Sequence, residues 1–358
     1  MKLKDKYMQL AIRGRRTIVI SDIHGEKALF QQLLDQVGFS ADDILIIGGD
    51  IIDKGQDSIG TMHYVFELLK QPNVHMIEGN CDRILEELYE DWLYDYMAYR
   101  RTFVHDYLEK VGRTPADYPS QQQLADDILA HYGHYREQLA ALPTAIETED
   151  FLFVHAGVDD DYLETDRERA LSMPNFYKRH HQLDKYIVVG HYPACNYVEG
   201  GLFSHAVKIN DTRKVIAIDG GNQVKPSGQL NALIIEADGS LKSEFVDAHP
   251  EALVIQSFEV SYQTPHTFTY PEFDIMVEEI DPYFTLAVHS QSGTEFMVKT
   301  EYIQGDRGHY RLKDDYTDLF LDVEVGKRVK VVDDTCLGYI LIKKGSLVGW
   351  VPEEVLAH

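Results

Sequence analysis

The sequence predicts an α/β fold with a helical insertion, followed by a small all-β region. Three features carry this. Short apolar runs alternate with helical periodicity from Thr17 to about Asp247, a glycine-poor stretch interrupts them, and the texture turns β-branched and aromatic after about residue 250. Thr17-Ile-Val-Ile20 reads as a buried strand, and Phe30, Leu33, Leu34 and Val37 then share one helical face. Ile44-Leu-Ile-Ile47 is a second strand, Ile59, Met62, Val65, Phe66 and Leu69 fall at helical spacing, and Val74-His-Met-Ile77 is a third strand. Strand, helix, strand, helix, strand predicts a largely parallel sheet. Phe151–Val154, Tyr186–Val189, Val215–Ile218 and Leu233–Ile235 supply further strands and a second sheet.

Residues 84–142 are rich in Leu, Tyr, Glu and Gln and are broken at Gly112 to Pro119, so an insertion of several helices is expected. Its tyrosines read first as helix packing faces and second as the lining of a substrate cleft. The expected organisation is an α/β domain over 1–247, a β module over 250–304 and another over 305–358. A weak internal repeat supports the last two. Phe284-Thr-Leu-Ala-Val with Ser292 to Ile303 parallels Tyr339-Ile-Leu-Ile with Gly345 to Leu356: a strand, a polar turn, an aromatic-led strand and a short apolar ending. The second copy, with Gly349-Trp-Val-Pro, resembles a Src-homology-3-like barrel. Two small tandem barrels are therefore expected, with another all-β module as the alternative.

The chain has 358 residues, with 34 Lys and Arg against 59 Asp and Glu and a formal net charge of −25. Such an acidic surface repels phosphate backbones, so no nucleic-acid partner is expected. No run approaches about 18 apolar residues, so no membrane span is expected. The cations between Met1 and Arg16 lead straight into Thr17–Ile20 and Ser-Asp without an apolar signal core. Cys81, Cys195 and Cys336 are too few and too scattered for a disulfide framework. A cytoplasmic location is the expectation.

Chemistry sits at the ends of the strands. The apolar runs stop at Ser21-Asp22-Ile-His24, Gly48-Gly49-Asp50-Ile-Ile-Asp53, Glu78-Gly79-Asn80, Val154-His155-Ala-Gly157 and Val189-Gly190-His191. The carboxyl ends of strands in such sheets converge on one rim, so distant segments can assemble a single site. Two Asp, three His and one Asn offer oxygen and imidazole donors without thiolate, which suits Mn²⁺ first, then Fe or Zn²⁺. Asp22 and His24 can share one ion, and Asp50 can bridge to a second roughly 3.5–4 Å away. Two such ions bind phosphate oxygens and activate water near neutral pH, which points to phosphoester hydrolysis.

The order Asp-x-His, Gly-Asp-x-x-Asp, Gly-Asn, His-Ala-Gly, Gly-His resembles the calcineurin-like metallophosphoesterases, most closely the phosphoprotein phosphatase branch and its bacterial relatives. The resemblance spans about residues 17 to 236 and implies an αββα sandwich with a two-metal site. It implies Asp22 and His24 on the first ion, Asp50 as the bridge, and Asn80, His155 and His191 on the second. Tyr192-Pro193 stands where phosphodiesterase branches have a further histidine, which favours the phosphatase branch. Asp219, before Gly220-Gly221, matches a supporting residue of that branch.

Two departures stand out. The branch has arginine after the second Asp as a phosphate clamp, whereas this chain has Asp53-Lys54, which keeps the charge and loses the two-point fork. The branch has histidine after Gly-Asn as the general acid paired with that Asp, whereas here Gly79-Asn80-Cys81-Asp82 follows. Losing a general acid costs about 10²–10⁴ in rate, so substrates with easily expelled leaving groups are favoured: aryl phosphates, phosphotyrosine or anhydrides. Cys81 reads as a small filler or as a redox-sensitive thiol beside the metals. Arg83, Arg100 or Arg101 are the cations that could replace the clamp. With Asp53, Lys54, Cys81 and Asp82 in catalytic positions, the expected function is a two-metal phosphomonoesterase acting on a phosphoprotein or small phosphorylated molecule. The alternatives are a nucleotide hydrolase, for instance of dinucleoside polyphosphates, and a non-catalytic phosphate-binding protein. The C-terminal β module is expected to dock a protein partner or the α/β domain.

Overall fold

The computed structural model describes every residue except Tyr262, Arg307 and His358. The chain forms two compact units. The first comprises Met1–Pro193, Val207–Val224 and Gln229–Asp247; the second comprises Ala194–Ala206, Lys225–Gly228 and Ala248–His358.

The first unit holds eleven strands: β1 (Tyr7–Gln9), β2 (Thr17–Ile20), β3 (Ile44–Ile47), β4 (Val74–Met76), β5 (Ala145–Glu147), β6 (Phe151–Val154), β7 (Tyr186–Val189), β8 (Lys208–Asn210), β9 (Val215–Ala217), β10 (Leu230–Ile235) and β11 (Leu241–Val246). They form a five-stranded sheet, β11-β10-β2-β3-β4, and a six-stranded sheet, β1-β5-β6-β7-β9-β8. β2, β3 and β4 run parallel, as do β6, β7 and β9. The apolar runs are continuous because both faces of the strands are buried. In β2 and β3, Ile18, Ile20, Leu45 and Ile47 join one apolar cluster while Val19, Ile44 and Ile46 join another, following the period of two. The second cluster also contains Phe153, Val188 and Ile216 of the six-stranded sheet, so it is the layer between the sheets.

Helices α1 (Lys27–Gln36) and α2 (Ser58–Leu68) cover the other face of the five-stranded sheet. Leu29, Phe30, Leu33 and Leu34 of α1 are buried there, each contributing about 1.5–3 kcal/mol if fully removed from water. The expected insertion consists of α3 (Asp91–Met97), α4 (Phe103–Val111) and α5 (Gln121–Ala140), with a short helix α6 (Arg167–Ser172) later in the chain. Gly112 ends α4 in the left-handed conformation, which is why the helical stretch breaks there. Phe103, Tyr107, Leu124, Ile128 and Tyr132 extend the cluster under α1 and α2, so most of the insertion's aromatic face is packing surface.

The second unit is all β: β12 (Glu251–Leu253), β13 (Thr267–Phe268), β14 (Asp274–Val277), β15 (Phe284–His289), β16 (Glu295–Lys299), β17 (Ile303–Asp306), β18 (His309–Leu312), β19 (Tyr316–Thr317), β20 (Arg328–Asp333), β21 (Tyr339–Lys344) and β22 (Leu347–Pro352). Both copies of the repeat are antiparallel hairpins, β15–β16 and β21–β22, each followed by a single 3-10 turn. Strand pairing does not divide at residue 304. β17 pairs with β18, which pairs with β14, while β12 joins β20, β21 and β22 in the other sheet. Residues 194–206 and 225–228, which the sequence pattern assigns to the α/β domain, also belong to this unit. Their apolar side chains, Cys195 and Phe203, sit in its core beside Trp350. Among the described residues no helix is long and apolar enough to cross a membrane.

Candidate metal centre

The loops that follow β2, β3, β4, β6 and β7 converge. Of nine non-glycine residues with positive φ among the described residues, six lie in these loops: Asp22, His24, Asp50, Asp53, Lys54 and His191. Each such conformation costs about 1–3 kcal/mol and persists only where its surroundings over-determine it. Here the surroundings are backbone clamps. Asp22 N–H donates to Gly49 O and His24 N–H to Asp50 O, both at 3.0 Å. The Asp82 carboxylate accepts from the N–H groups of Asp50 (2.9 Å), Ile51 (2.9 Å) and Gly79 (2.8 Å). Asn222 donates to Ile23 O at 2.8 Å. Gly79 and Gly190 allow the closest approaches: a Cβ at Gly79 would collide with Asp50 N and Oδ1, and one at Gly190 with Ser21 Oγ and Asp22 Oδ2.

These clamps bring six donor side chains together. Asp50 is at the middle, with Oδ1 3.4 Å from His155 Nε2 and Oδ2 3.8 Å from His24 Nε2. His24 Nε2 is also 3.8 Å from Asp22 Oδ1. On the other side, Asn80 Oδ1 lies 3.2 Å from His155 Nε2 and 2.8 Å from His191 Nδ1. The far ring nitrogens are anchored, His24 Nδ1 at Ile52 O (3.3 Å) and His155 Nδ1 at Gly48 O (2.9 Å), which aims the near nitrogens inward. Lys54 Nζ sits 3.1 Å from His24 Nε2 and 3.9 Å from Asp50 Oδ2.

The electrostatics call for added positive charge. Burial, then the nearby Asp219 carboxylate, pushes Asp22 well above the usual carboxylate range. Burial likewise raises Asp82 to about 7 and Asp219 to about 6. Burial favours the neutral form of Asp50 too, but His155, Lys54 and His24 overcome it and hold that carboxyl well below its usual value. Burial alone would lower His155, yet Asp50 raises it to about 10, while burial lowers His24 to about 3 and His191 to about 4. Asp50 Oδ2 and Asp219 Oδ2 are buried with no hydrogen-bond partner. Orphaned carboxylate oxygens among imidazoles and an amide oxygen fit divalent cations, which would reverse the upward shifts of the carboxylates and take the place of the proton on His155.

The remaining expected residues divide. Lys54 and Cys81 face the centre; Cys81 N–H donates to Asp50 Oδ1 at 2.8 Å. Asp82 is buried and engaged with backbone, so it positions the loops rather than facing a substrate. Asp53 is also buried, and burial raises it to about 8. The histidine it would pair with in the phosphatase branch is replaced by the Phe103 backbone, which donates to Asp53 Oδ1 at 2.7 Å. Arg83 pairs with Glu87 (3.0 Å) and Glu168 (2.6 Å), and Arg101 with Asp106 and Glu109, so both guanidinium groups are committed to carboxylates. Arg100 is exposed beyond the end of α3. Asp219 accepts from Gly221 N–H at 2.7 Å. Two contributions escape the motif pattern: the Asn222 clamp and Tyr96 of α3, whose phenol is close enough to feel Lys54, Cys81 and Asp53 and is raised chiefly by burial. The insertion's tyrosine richness was the only sequence signal for Tyr96.

The profile of the family described as Calcineurin-like phosphoesterase matches residues 15–210. Serine/threonine-protein phosphatase 2 of Escherichia coli (strain K12) is 30% identical over 33% of this chain and 66% of its own length. The chain thus spans slightly less than two thirds of that relative. Bis(5'-nucleosyl)-tetraphosphatase PrpE [asymmetrical] of Oceanobacillus iheyensis is 22% identical over 54% of this chain and 82% of its own. Among solved structures, a protein serine/threonine phosphatase from Saccharomyces cerevisiae is similar with a TM-score of 0.45 and 14% identity, covering 69% of this chain and 87% of that one.

Proposed function

The chain belongs to the calcineurin-like phosphoesterase family, metal-dependent hydrolases of phosphoric esters, and we propose that it is a two-metal phosphomonoesterase acting on a phosphoprotein or small phosphorylated molecule. The observation that carries this reading is the placement of Asp50, one carboxylate oxygen toward His155 and the other toward His24. Asp22 and His24 would hold one ion with Asp50; Asn80, His155 and His191 would hold the other. Mn²⁺, Fe and Zn²⁺ all suit the nitrogen and oxygen donors. Bound there, the ions supply Lewis acidity toward phosphoryl oxygens and lower the pKa of water toward 7.

The chain's own residues do the rest. Lys54 keeps its proton: burial works against the charge, but the anionic Asp50 beside it raises its pKa. It would meet a phosphate oxygen as a point charge rather than a planar fork. Asp82 and Asn222 fix the loops, and Asp53 fixes the insertion beside them. Cys81 occupies the place of the acid and is held protonated by burial and by Asp50, so it is a poor proton donor to a leaving alkoxide. Substrates that leave as weak bases, such as aryl phosphates and phosphotyrosine, are therefore preferred.

An anhydride substrate is the second reading, favoured by the same leaving-group argument and by the tetraphosphatase relative. Hydrolysis of p-nitrophenyl phosphate, bis-p-nitrophenyl phosphate and a dinucleoside tetraphosphate by metal-stripped protein given Mn²⁺ tests the proposal. Preference for the monoester supports it, preference for the tetraphosphate selects the second reading, and ion binding without turnover on any of the three points to a phosphate-binding protein.

A further inference from the structure

We propose that Cys81 is a metal ligand, its sulfur joining His24 and Asp50 on the first ion. This rests on reading the site as a metal centre, and three observations carry it further. A ring nitrogen of His24, an Asp50 carboxylate oxygen and Cys81 Sγ all lie within 4.8 Å of one another. The edges of a tetrahedron with ligand bonds of 2.0–2.3 Å are about 3.3–3.8 Å, so a contraction of about an ångström closes the three around one ion.

The second observation is that two of the three donors are prepared. Asp50 is fully buried and its Oδ2 has no hydrogen-bond partner. His24 is fully buried and tied through Nδ1 to Ile52 O, which leaves Nε2 directed into the cup. Lys54 Nζ, 3.1 Å from that nitrogen, is a cation lodged among the same donors. An ion there would displace the ammonium and free it for phosphate.

The third observation is how the sulfur is held. The Cys81 backbone is fixed by its 2.8 Å hydrogen bond to Asp50 Oδ1. Its Sγ accepts from Asn80 Nδ2 at 3.3 Å, while Asn80 Oδ1 faces His155 and His191. One amide thus serves both halves of the centre: its oxygen turns to the second ion and its N–H supports sulfur on the first. A small apolar filler would have apolar neighbours, but this sulfur sits among an amide, an imidazole and a carboxylate. On coordination the thiol proton passes to solvent and a sulfur–metal bond forms, with no change of oxidation state.

A thiolate shifts selectivity toward softer ions, Zn²⁺, Fe²⁺ and Co²⁺ over Mg²⁺ and Mn²⁺. The test is titration of metal-stripped full-length protein with Co²⁺, with stoichiometry by calorimetry and coordination by absorption. Wild type is expected to bind two Co²⁺ and to show a sulfur-to-cobalt charge-transfer band in the near ultraviolet. Cys81→Ser should lose the band, keep the cobalt d–d bands and weaken one site by at least about 10–100-fold, the loss seen even for outer-shell partners. Should Cys81→Ser fail to fold, X-ray absorption of the wild-type complex decides by the presence of a sulfur scatterer at about 2.3 Å. Two bound Co²⁺ without sulfur ligation would overturn thiolate coordination and leave the metal centre standing. No Co²⁺ binding at all would overturn both.

Discussion

The Asp53 carboxylate accepts a 2.7 Å hydrogen bond from the backbone N–H of Phe103, the first residue of α4. Two neighbouring contacts repeat the connection: Lys54 N–H donates to Arg101 O at 2.9 Å and Ser58 N–H to the Asp106 carboxylate. The loop that carries Asp50 is therefore laced to the entry of the helical insertion. In this chain Asp53 ties that loop to the insertion.

Removing that tie should loosen the insertion before it touches the centre. Asp53→Ala leaves the Phe103 donor buried and unpaired, at a cost of about 1–3 kcal/mol, whereas Asp53→Asn keeps an acceptor and should retain most of the stability. Urea denaturation separates the two variants. Hydrogen exchange should show faster exchange in α4 for Asp53→Ala, with β2 and β3 unchanged.

Glu78, at the end of β4, should act as an acid-sensitive staple. Its buried carboxylate is paired with Lys6 at 2.7 Å and with Arg167 through Nε and both of its oxygens at 3.0 Å. Burial opposes its charge, but Arg167, Lys6 and Thr144 prevail and lower its pKa. A carboxyl depressed in the folded state gives stability that is complete above its ordinary pKa of about 4.3 and is lost as pH falls from there through the folded value. Glu78→Gln leaves Arg167 and Lys6 without their shared anion and should cost roughly 3–5 kcal/mol near neutral pH. The gap between wild type and Glu78→Gln in thermal unfolding should narrow below about pH 4.3.

Gly79→Ala is expected to damage metal binding specifically. The added Cβ would meet Asp50 N and Oδ1, displacing the central carboxylate without touching the sandwich core. A loss of about 10–100-fold in ion affinity is expected, with the circular dichroism spectrum unchanged. Isothermal titration with Mn²⁺ reads the affinity.

The centre was far more legible in the sequence than the means of holding it. Each donor follows an apolar run, so strand ends alone predicted that Asp22, His24, Asp50, Asn80, His155 and His191 would meet, and β2, β3, β4, β6 and β7 deliver them to one place. The clamps were hidden because they are backbone contacts: nothing in the pattern Gly-Asn-Cys-Asp says that Asp82 will collect three N–H groups, or that Phe103, fifty residues on from Asp53, will supply its partner. Glu87, four residues on, was the local hint that Arg83 is not a spare cation, whereas the pairing with Glu168 of α6 has no local signature. The β unit was the least legible. Its hairpins follow the local alternation, but β12 and β18 find partners through long-range pairing that period-two patterns do not encode.

On the proposed reading, Asp50 joins two ions into one hydrolytic centre. The most direct measurement is metal content by mass spectrometry after Mn²⁺ loading, taken with turnover of p-nitrophenyl phosphate, for wild type and Asp50→Asn. The wild type should hold two ions and turn over, and Asp50→Asn should lose at least one ion together with a fall in rate of at least about 10²–10⁴, on the scale of losing a catalytic group. Asp50→Asn that keeps both ions and full turnover would contradict it.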